Sequence, residues 1–455
     1  MKIPTTKTEL DLKDLQQIIT AHEYDRAKKI RLKGYFEGRH DILRKEGRAN
    51  GAPNNKLVTN YCSYISAMSI GFFLGKPIAY TTIEENQAKL DILLDIFKYN
   101  DESAHNLELA EESSITGEAF ELLYIDSDAE IRFKSVPSEE MIIVCDATLE
   151  ENIIYAIRHY RIYDFYGATY SEYVDVYNAK EIRHYSYSGG RFEEVSESEA
   201  NYFDDVPVIH YPNNKQCRGD FENVLTLVDA YNLAQSLTMD DLSDFTDAYL
   251  LLKGYSSDEK TAKELRKKKI ISLDEGGGAD WLIKNLNDTY IENLKTRLNT
   301  DIHKLSHVPD MSDKEFAGNA SGVSIKYKLL GLELVSSLQE REFKKAIQRR
   351  IELISGMLKT KSKDTIDFRD VEITFTPNIP ADNTEQAEIV KKLDGLVSQK
   401  KLLSLLSFVE DPVKEMEELK KEKEEADARL RDDYELGDDH EQEKPEILAE
   451  ESDSL

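Results

Sequence analysis

The strongest constraint on the fold is one long run of helical periodicity, from Gly322 to Leu358. Its apolar residues recur every three or four positions, which is typical of an amphipathic α-helix. The first half carries Val323, Tyr327, Leu330, Leu334 and Leu338, and the second half carries Phe343, Ile347, Ile351, Ile354 and Leu358. A helix of this length spans on the order of 55 Å. We therefore expect it to run along neighbouring helices or neighbouring subunits, because a helix this long does not serve one small core.

Two further amphipathic helices are predicted before it, from about Phe221 to Phe245 and from about Asp288 to Leu305. The second begins with a capping box, formed by Thr289 and Glu292. The C-terminal half of the first carries four aspartates, Asp240, Asp241, Asp244 and Asp247. Negative charge at a helix C-terminus opposes the helix dipole, so helix propensity alone does not explain these residues.

Between Glu118 and His210 the pattern changes to short runs rich in tyrosine and isoleucine, separated by Asp, Gly and Ser. This pattern predicts a meander of β-strands. The tyrosines have two interpretations, aromatic pairing across a half-exposed sheet or a platform that binds a ligand. We favour the pairing, because aromatic cross-strand pairs are a common source of sheet stability.

The formal net charge is −29, from 88 acidic and 59 basic residues. The charge therefore disfavours tight wrapping of DNA, because affinity for phosphates comes from Lys and Arg, and it remains compatible with loose enclosure of DNA. The three cysteines, Cys62, Cys145 and Cys217, are far apart, which indicates a reducing compartment rather than a disulfide framework. The N-terminus lacks an apolar signal core, and the most apolar helix, Tyr61–Gly75, is too short to span a bilayer. We expect a soluble, intracellular protein.

Motifs for catalysis and metal binding are missing from the sequence. The stretch "GNASG" at Gly318–Gly322 has the wrong spacing for a nucleophile elbow, and there is no phosphate-binding loop of the Walker type. His303 and His307 lie one helical turn apart but lack the rest of a zinc motif. The sequence therefore predicts a non-enzymatic protein with no cofactor and no metal, whose function depends on its shape.

Five stretches, in order along the chain, resemble the portal (connector) proteins of tailed bacteriophages, of the type found in long-tailed phages of Gram-positive bacteria. They are "APNNKLVTNYCSYISAMSIGFFLGKPI", "TGEAFELLYID", "VPVIHYPNN", "LVDAYNLAQSLTMDDLSDFTDAYLLLKG" and "VPDMSDKEFAGNASGVSIKYKLLGLE". They extend from Ala52 to Glu333. The resemblance implies an α+β, mainly helical portal fold. It also implies a dodecameric ring at one capsid vertex, with double-stranded DNA passing through the axial channel.

The resemblance also divides the chain into the parts of a portal subunit. These are a wing of helices and strands, a two-helix stem, a small α/β clip and a helical C-terminal crown. The boundaries are 1–220 for the N-terminal helices and wing, 221–247 and 287–306 for the stem helices, 248–286 for the clip, 307–321 for a tunnel loop, 322–380 for the long helix and a wing strand, and 381–431 for the crown. Residues 432–455 carry eleven acidic side chains and one lysine, which predicts a disordered acidic tail.

In the portal family, the segment between the second stem helix and the long helix projects into the channel toward DNA. The resemblance assigns this role to His307, Asp310, Met311, Ser312, Asp313, Lys314, Glu315 and Phe316. Polar residues and Gly318 favour a mobile loop, and one lysine among three acids can touch phosphates without holding them tightly. The alternatives are an ordinary solvated turn between two helices and, for Phe316, a place in the core of the wing.

The resemblance also implies roles for two sets of charged residues. The stem aspartates would line the channel wall and repel DNA, or else face the outside of the ring. The basic patch would dock the packaging motor or the adaptor at the clip, or only keep a neighbouring strand soluble; it consists of Lys263, Arg266, Lys267, Lys268 and Lys269.

The resemblance implies a set of partners and a location. The partners are further copies of the chain, the terminase large subunit, the head-completion adaptor, the major capsid and scaffolding proteins, and double-stranded DNA in transit, with no membrane. The location is the capsid vertex of the virion, and the host cytoplasm during assembly. The alternative function is a helical, oligomeric interaction scaffold that has no role with DNA.

Overall fold

A computed structural model describes residues 2–48, 52–245, 249–253, 278–282, 288–312, 322–361, 363–378, 383–406, 409 and 412–437. The chain forms two compact units, one ending at Asn378 and the other beginning at Ile379. Within the described ranges, no helix combines the length and the apolar character needed to cross a bilayer.

The helices of the first unit include those that the sequence predicts. They are α1 (Leu12–Phe36), α2 (Tyr61–Phe73), α3 (Gln87–Tyr99), α4 (Glu102–Thr116), α5 (Leu225–Phe245), α6 (Asp288–Ser306) and α7 (Gly322–Thr360). The predicted bounds of α5, α6 and α7 are right to within a few residues. The sequence does not indicate α4, because its buried face is largely polar and includes Glu102, His105, Asn106 and Ser114. The apolar residues of α4 therefore do not recur at helical spacing, although one face of this helix is buried.

The strands of the first unit form several sheets. They are β1 (Lys2–Thr5), β2 (Ala79–Thr81), β3 (Glu118–Ile125), β4 (Ile131–Val136), β5 (Met141–Asp146), β6 (Ile153–Tyr163), β7 (Tyr170–Tyr177), β8 (Glu181–Ser188), β9 (Arg191–Glu194), β10 (Glu199–Ala200), β11 (Val208–Pro212), β12 (Tyr249–Lys253), β13 (Gly278–Leu282) and β14 (Glu372–Thr374). The largest sheet has the order β1-β5-β6-β7-β8-β10, with β9 paired to β8. A second sheet has the order β11-β3-β4, and β12-β13 and β14-β2 form two pairs.

The predicted meander is correct for β5 to β8, which are antiparallel neighbours in sequence order. It is wrong for β3 and β4, which lie in a separate sheet where β3 pairs with both β11 and β4. The tyrosines pair across strands as expected: Tyr160 stacks on Tyr173 with ring centroids 5.6 Å apart, and Tyr163 lies 5.5 Å from Tyr170. Aromatic pairing therefore accounts for these four side chains.

The long helix α7 changes its surroundings halfway along its 39 residues. All the apolar positions of its second half are buried, namely Phe343, Ile347, Ile351, Ile354 and Leu358. They belong to the main core, together with α3, α4, β3 and β11. Burial of each such side chain contributes about 1.5–3 kcal/mol, so this half anchors the helix in the first unit.

A buried charge cluster connects α7 to α4 and β3. Arg350 is fully buried and binds both carboxylate oxygens of Glu121, at 3.0 Å and 2.9 Å. Its guanidinium also donates to Asn106 at 3.0 Å and to Glu102 at 3.2 Å. The ring of Phe133 lies 4.8 Å from the guanidinium carbon. Because each charge has a partner, the cluster fixes how the helix sits on the sheet without leaving a buried charge unpaired.

The second unit is helical in its described part. It contains α8 (Asn383–Leu393), α9 (Gln399–Leu403) and α10 (Pro412–Gly437). The helix α10 continues through Asp432, so the prediction of a disordered tail is wrong for residues 432–437. Pairs such as Glu417 and Lys421, four residues apart, support this helix on its own surface. The remainder of the predicted tail, 438–455, lies outside the described residues.

Candidate functional site

The candidate site consists of α5, α6, the segment that follows α6 and the first half of α7. The helices α5 and α6 contact each other, with Lys295 Nζ donating to Gln235 at 3.4 Å. These are the predicted stem helices, and His307–Ser312 begins the predicted tunnel loop.

One face of α5 binds an extended segment, residues 52–60, through side chains. Each of three side chains accepts a hydrogen bond from a backbone N–H of that segment, in the pairs Asn232–Thr59 at 2.7 Å, Ser236–Leu57 at 2.9 Å and Asp240–Asn55 at 2.5 Å. Four helical residues advance about 6.0 Å, and two extended residues advance about 6.6 Å. The two spacings match, so alternate N–H groups of the segment meet successive turns of α5. We call this set of bonds the α5 ladder.

Asp240, predicted to line the channel wall, belongs to the α5 ladder. Its side chain is 2% exposed and pairs with Lys45 Nζ at 2.6 Å. Burial alone would raise the pKa of Asp240, but hydrogen bonds from Lys45 and Asn55 hold it below its usual value. A buried carboxylate that is already paired presents no charge to a channel, so the channel-wall prediction is wrong for Asp240. Asp241 is partly exposed.

The segment that follows α6 is held by hydrogen bonds to both α2 and α6. The hydroxyl of Tyr64 on α2 donates to the carbonyl oxygen of Pro309 at 2.8 Å and accepts from the backbone nitrogen of Met311 at 3.2 Å. Asp310 accepts from Asn299 on α6 at 3.0 Å and from the hydroxyl of Ser312 at 2.6 Å. Residues 309–312 are therefore fixed to α2 and α6, and the prediction of a mobile loop does not hold for them.

Asp310 is positioned by the fold and does not point freely into solvent. Burial acts to raise its pKa, but hydrogen bonds from Ser312 and Asn299 hold the pKa below its usual value. The nearby ring of His303 donates from Nδ1 to the carbonyl oxygen of Val308 at 2.9 Å, because a carbonyl can only accept. The carboxylate of Asp310 therefore serves to fix the segment.

The turn out of α6 passes close to α7. His307 has a φ of 61°, in the left-handed region that side chains rarely adopt. A Cβ atom added at Gly331 of α7 would lie 3.4 Å from the carbonyl oxygen of His307. This is an ordinary van der Waals distance, so the turn packs against α7 at Gly331 without a clash. His307 and Met311 are themselves exposed, so they remain candidates for contact with DNA.

The three helices expose apolar side chains in this part of the chain. The exposed residues are Leu233, Leu237, Met239 and Leu242 on α5, Tyr290, Leu294 and Leu305 on α6, and Tyr327, Leu330, Leu334 and Leu338 on α7. Those on α7 are spaced by three and four residues and form one stripe, which we call the α7 stripe. The α7 stripe lies on the first half of α7, whereas the apolar side chains of the second half of this helix are buried. A row of exposed apolar side chains along a helix is a candidate interaction surface.

Several predicted site residues lie outside the described part of the chain. They are Asp313, Lys314, Glu315 and Phe316 of the tunnel loop, Asp247 of the stem, and the basic patch Lys263, Arg266, Lys267, Lys268 and Lys269. Asp244 lies in α5, but its side chain is outside the described set. The roles predicted for these residues remain predictions.

The residues that anchor the segment after α6 have no signal in the local sequence. Tyr64 and Asn299 are separated from Pro309 and Asp310 by up to 245 positions, and no local pattern connects them. The α5 ladder had a weak signal, since Asn232, Ser236 and Asp240 recur every four residues among apolar neighbours. This spacing places the three polar side chains in one stripe along the helix.

Comparison with known proteins identifies relatives over most of the chain. The family model described as phage portal protein, SPP1 Gp6-like, matches residues 15–429. The portal protein of Clostridium phage phiCD119 is 24% identical over 462 residues, covering 93% of this chain and 99% of that protein. The portal protein of Bacillus phage SPP1 is 23% identical over 403 residues, covering 84% and 79%. A chain from the neck of an empty GTA particle computed with C6 symmetry has a TM-score of 0.47 at 12% identity, over 76% of this chain and 90% of that one.

Proposed function

Because the chain belongs to the family of SPP1 Gp6-like phage portal proteins, we propose that it works as a closed ring of identical subunits that conducts double-stranded DNA through its axial channel. The portal function itself follows from membership of the family. The chain is thus a structural component of the virion that takes part in DNA packaging and is not an enzyme. Family membership implies an oligomeric ring, and we propose twelve subunits for it in the virion.

The exposed apolar faces of α5, α6 and α7 are the observation that carries the ring. A ring requires two different surfaces on each subunit, one of which meets the other on the next subunit. The α7 stripe provides one such surface, and the exposed leucines of α5 and α6 provide a second. Both lie on long helices that also contribute buried apolar side chains to the subunit, Val228 on α5, Ile302 on α6 and Leu332 on α7. Ring closure would remove these side chains from water and stabilise the assembly.

Weak binding of DNA is the second part of the proposal. DNA carries one negative charge per roughly 1.7 Å of its axis, and a channel that neutralised these charges would resist movement. A chain with a net charge of −29 avoids such contacts by repulsion. Asp241, Asp244 and Asp247 remain the proposed wall residues, and Asp240 no longer belongs to the set because it is buried.

The tunnel loop is proposed to begin after Ser312. The preceding residues are held by Tyr64 and Asn299, so they form a fixed root from which the loop extends. A fixed root would transmit contact between DNA and the loop to α2 and α6. We propose that Lys314 and Phe316 are the residues that meet DNA.

The proposed partners follow the family. They are the terminase large subunit and the head-completion adaptor at the clip, and the major capsid and scaffolding proteins around the ring. The basic patch, whose members were given above, is proposed as the docking point at the clip because it is the densest positive run of an acidic chain.

A packaging experiment tests the DNA-conducting function. Residues Asp313–Ala317 are replaced by Gly and Ser in a phage that depends on this chain, and the DNA per particle is measured. We expect intact heads that hold less DNA, because the fixed root remains and only the loop is lost. Normal DNA content would contradict the role of the loop. Heads that package DNA without this chain in them would instead support the alternative, a scaffold with no role in DNA passage.

A further inference from the structure

We propose that Glu118, His210 and Cys217 form a binding site for a divalent metal ion of the zinc type. One ligand atom from each of these three side chains lies within 4.8 Å of the others. The residues lie at the junction where α4 leads into β3 and where β11 leads toward α5. All three belong to one subunit, so the proposed site needs no residue from a neighbouring copy.

The pairing of β3 with β11 places the first two ligands on one face. In this antiparallel pair Pro212 lies opposite Glu118, and His210 lies opposite Phe120. Side chains two positions apart on a strand share a face, so Glu118 and His210 are diagonal neighbours. Their Oε2 and Nε2 atoms are 2.8 Å apart, and the His210 ring stacks on Phe120 with centroids 5.1 Å apart. The imidazole orientation is therefore fixed.

Two glycines allow the loop with Cys217 to approach the same point. A Cβ atom added at Gly117 would lie 2.1 Å from the carbonyl oxygen of Cys217, and one added at Gly219 would lie 2.5 Å from that of Ile115. No other residue type fits at such distances. The backbone nitrogen of Asn213 also donates to the carbonyl oxygen of Gly117 at 2.9 Å. The loop is thus held against the end of α4, and it directs the Cys217 thiol toward Glu118.

The three donor types decide which ion fits. A thiolate sulfur, an imidazole nitrogen and a carboxylate oxygen are together the ligand set of Zn²⁺, with bonds of about 2.0–2.3 Å. Ca²⁺ and Mg²⁺ prefer oxygen ligands only, so a sulfur and a nitrogen disfavour them. Three protein ligands leave one position of a tetrahedral ion for water.

Lys29 orients the carboxylate of this site. Its Nζ atom binds Glu118 Oε1 at 2.6 Å, Asp25 at 3.0 Å and the carbonyl oxygen of Ser138 at 2.9 Å. One oxygen of Glu118 is therefore held by Lys29, while the other faces His210. Such outer partners fix ligand geometry in metal sites. The charge of Asp25 offsets that of Lys29, which limits repulsion of the incoming cation.

Titration of the reduced full-length chain with Co²⁺ tests the proposal, because Co²⁺ takes the place of Zn²⁺ and absorbs light. A cobalt–thiolate bond produces a charge-transfer band in the near ultraviolet, which carboxylate and imidazole ligands do not produce. We expect this band to saturate at one Co²⁺ per chain and to disappear when Zn²⁺ is added. We expect Cys217→Ser to lose the band, and the control variants Cys62→Ala and Cys145→Ala to keep it.

A second variant covers the case in which Cys217→Ser does not fold. His210→Ala keeps the thiol but removes one ligand, and we expect its affinity for Zn²⁺ to fall by at least about tenfold. Zn²⁺ should also raise the thermal midpoint of the wild type, because an ion that binds only the folded chain stabilises it. The absence of a cobalt–thiolate band in the wild type, or an equal band in folded Cys217→Ser, would overturn the proposal. Equal Zn²⁺ affinity in His210→Ala would overturn it as well.

Discussion

The hydroxyl of Tyr64 donates to the carbonyl oxygen of Pro309 at 2.8 Å, and it joins two segments that are 245 residues apart. The same hydroxyl accepts the backbone N–H of Met311 at 3.2 Å. One side chain of α2 thus satisfies two backbone groups on either side of Asp310. This contact makes the root of the proposed tunnel loop part of the fixed structure of the subunit.

Removal of this hydroxyl should weaken the subunit without altering its ring. Tyr64→Phe keeps the aromatic ring but deletes two hydrogen bonds, each worth about 0.5–1.5 kcal/mol. We expect the free energy of unfolding to fall by about 1–3 kcal/mol, measured by urea unfolding. Tyr24→Phe is the matched control, since Tyr24 is 86% exposed, and it should change nothing. Equal stability of both variants would mean that the contact with Pro309 contributes nothing.

The α5 ladder predicts that a small substitution within it lowers the free energy of unfolding. Ser236→Ala leaves the backbone N–H of Leu57 without its acceptor, and loss of a hydrogen bond of this kind, which is partly buried, costs about 0.5–1.5 kcal/mol. Ser337→Ala removes a hydroxyl that donates to the carbonyl oxygen of Glu333, within its own helix. We expect the control to stay within about 0.5 kcal/mol of the wild type. Equal losses in the two variants, measured by urea unfolding, would show that the ladder is not stabilising.

The helices α5, α6 and α7 follow from the sequence because their apolar residues repeat at helical spacing. The helix α4 does not, since His105 and Asn106 bury polar groups in place of apolar ones. Asp240 could not be predicted for the same reason. An aspartate on a helix is normally expected at the surface. Asp240 is buried because the extended segment with Asn55, 185 residues away in the sequence, packs against it. Polar groups that pair across long stretches of sequence produce no periodic pattern in the residues around them.

The charge cluster around Arg350 predicts a stability difference that depends on pH. Arg350→Met leaves the carboxylate of Glu121 buried without its cation, and loss of one partner of such a pair costs about 3–5 kcal/mol. Burial would raise the pKa of Glu121, but Arg350 and His105 lower it from 4.5 to about 2. In the wild type this contribution to stability is present above pH 4.5 and is lost as the pH falls toward about 2.

In Arg350→Met the pKa of Glu121 is expected to shift in the opposite direction. Without Arg350, burial dominates and raises the pKa of Glu121, so acid neutralises the stranded carboxylate and favours the folded variant. We expect the stability gap between wild type and variant to narrow as the pH is lowered from 7 toward 4.5. The measurement is urea unfolding of both proteins across this range. A constant or widening gap would show that Glu121 does not depend on Arg350 for its charge.

The α7 stripe predicts which residue controls ring formation. Leu334→Asp places a charge in the centre of the stripe, which costs free energy only if a neighbouring subunit covers it. We expect a folded subunit whose ring forms at a concentration at least about tenfold higher, equivalent to about 1.4 kcal/mol. Leu149→Asp, at an exposed turn between β5 and β6, is the control and should assemble normally. Mass photometry over a concentration series provides the measurement, and equal assembly of the two variants would remove the α7 stripe from the interface.

The most direct test of the account is electron microscopy of the purified full-length chain, viewed along the symmetry axis, together with a mass measurement of the same sample. The account predicts closed rings with an open axial channel, of a mass that is a multiple of the 52.2-kDa chain and near twelve times that value. Particles no larger than a dimer at every concentration and salt level would contradict it, and so would an oligomer without a channel.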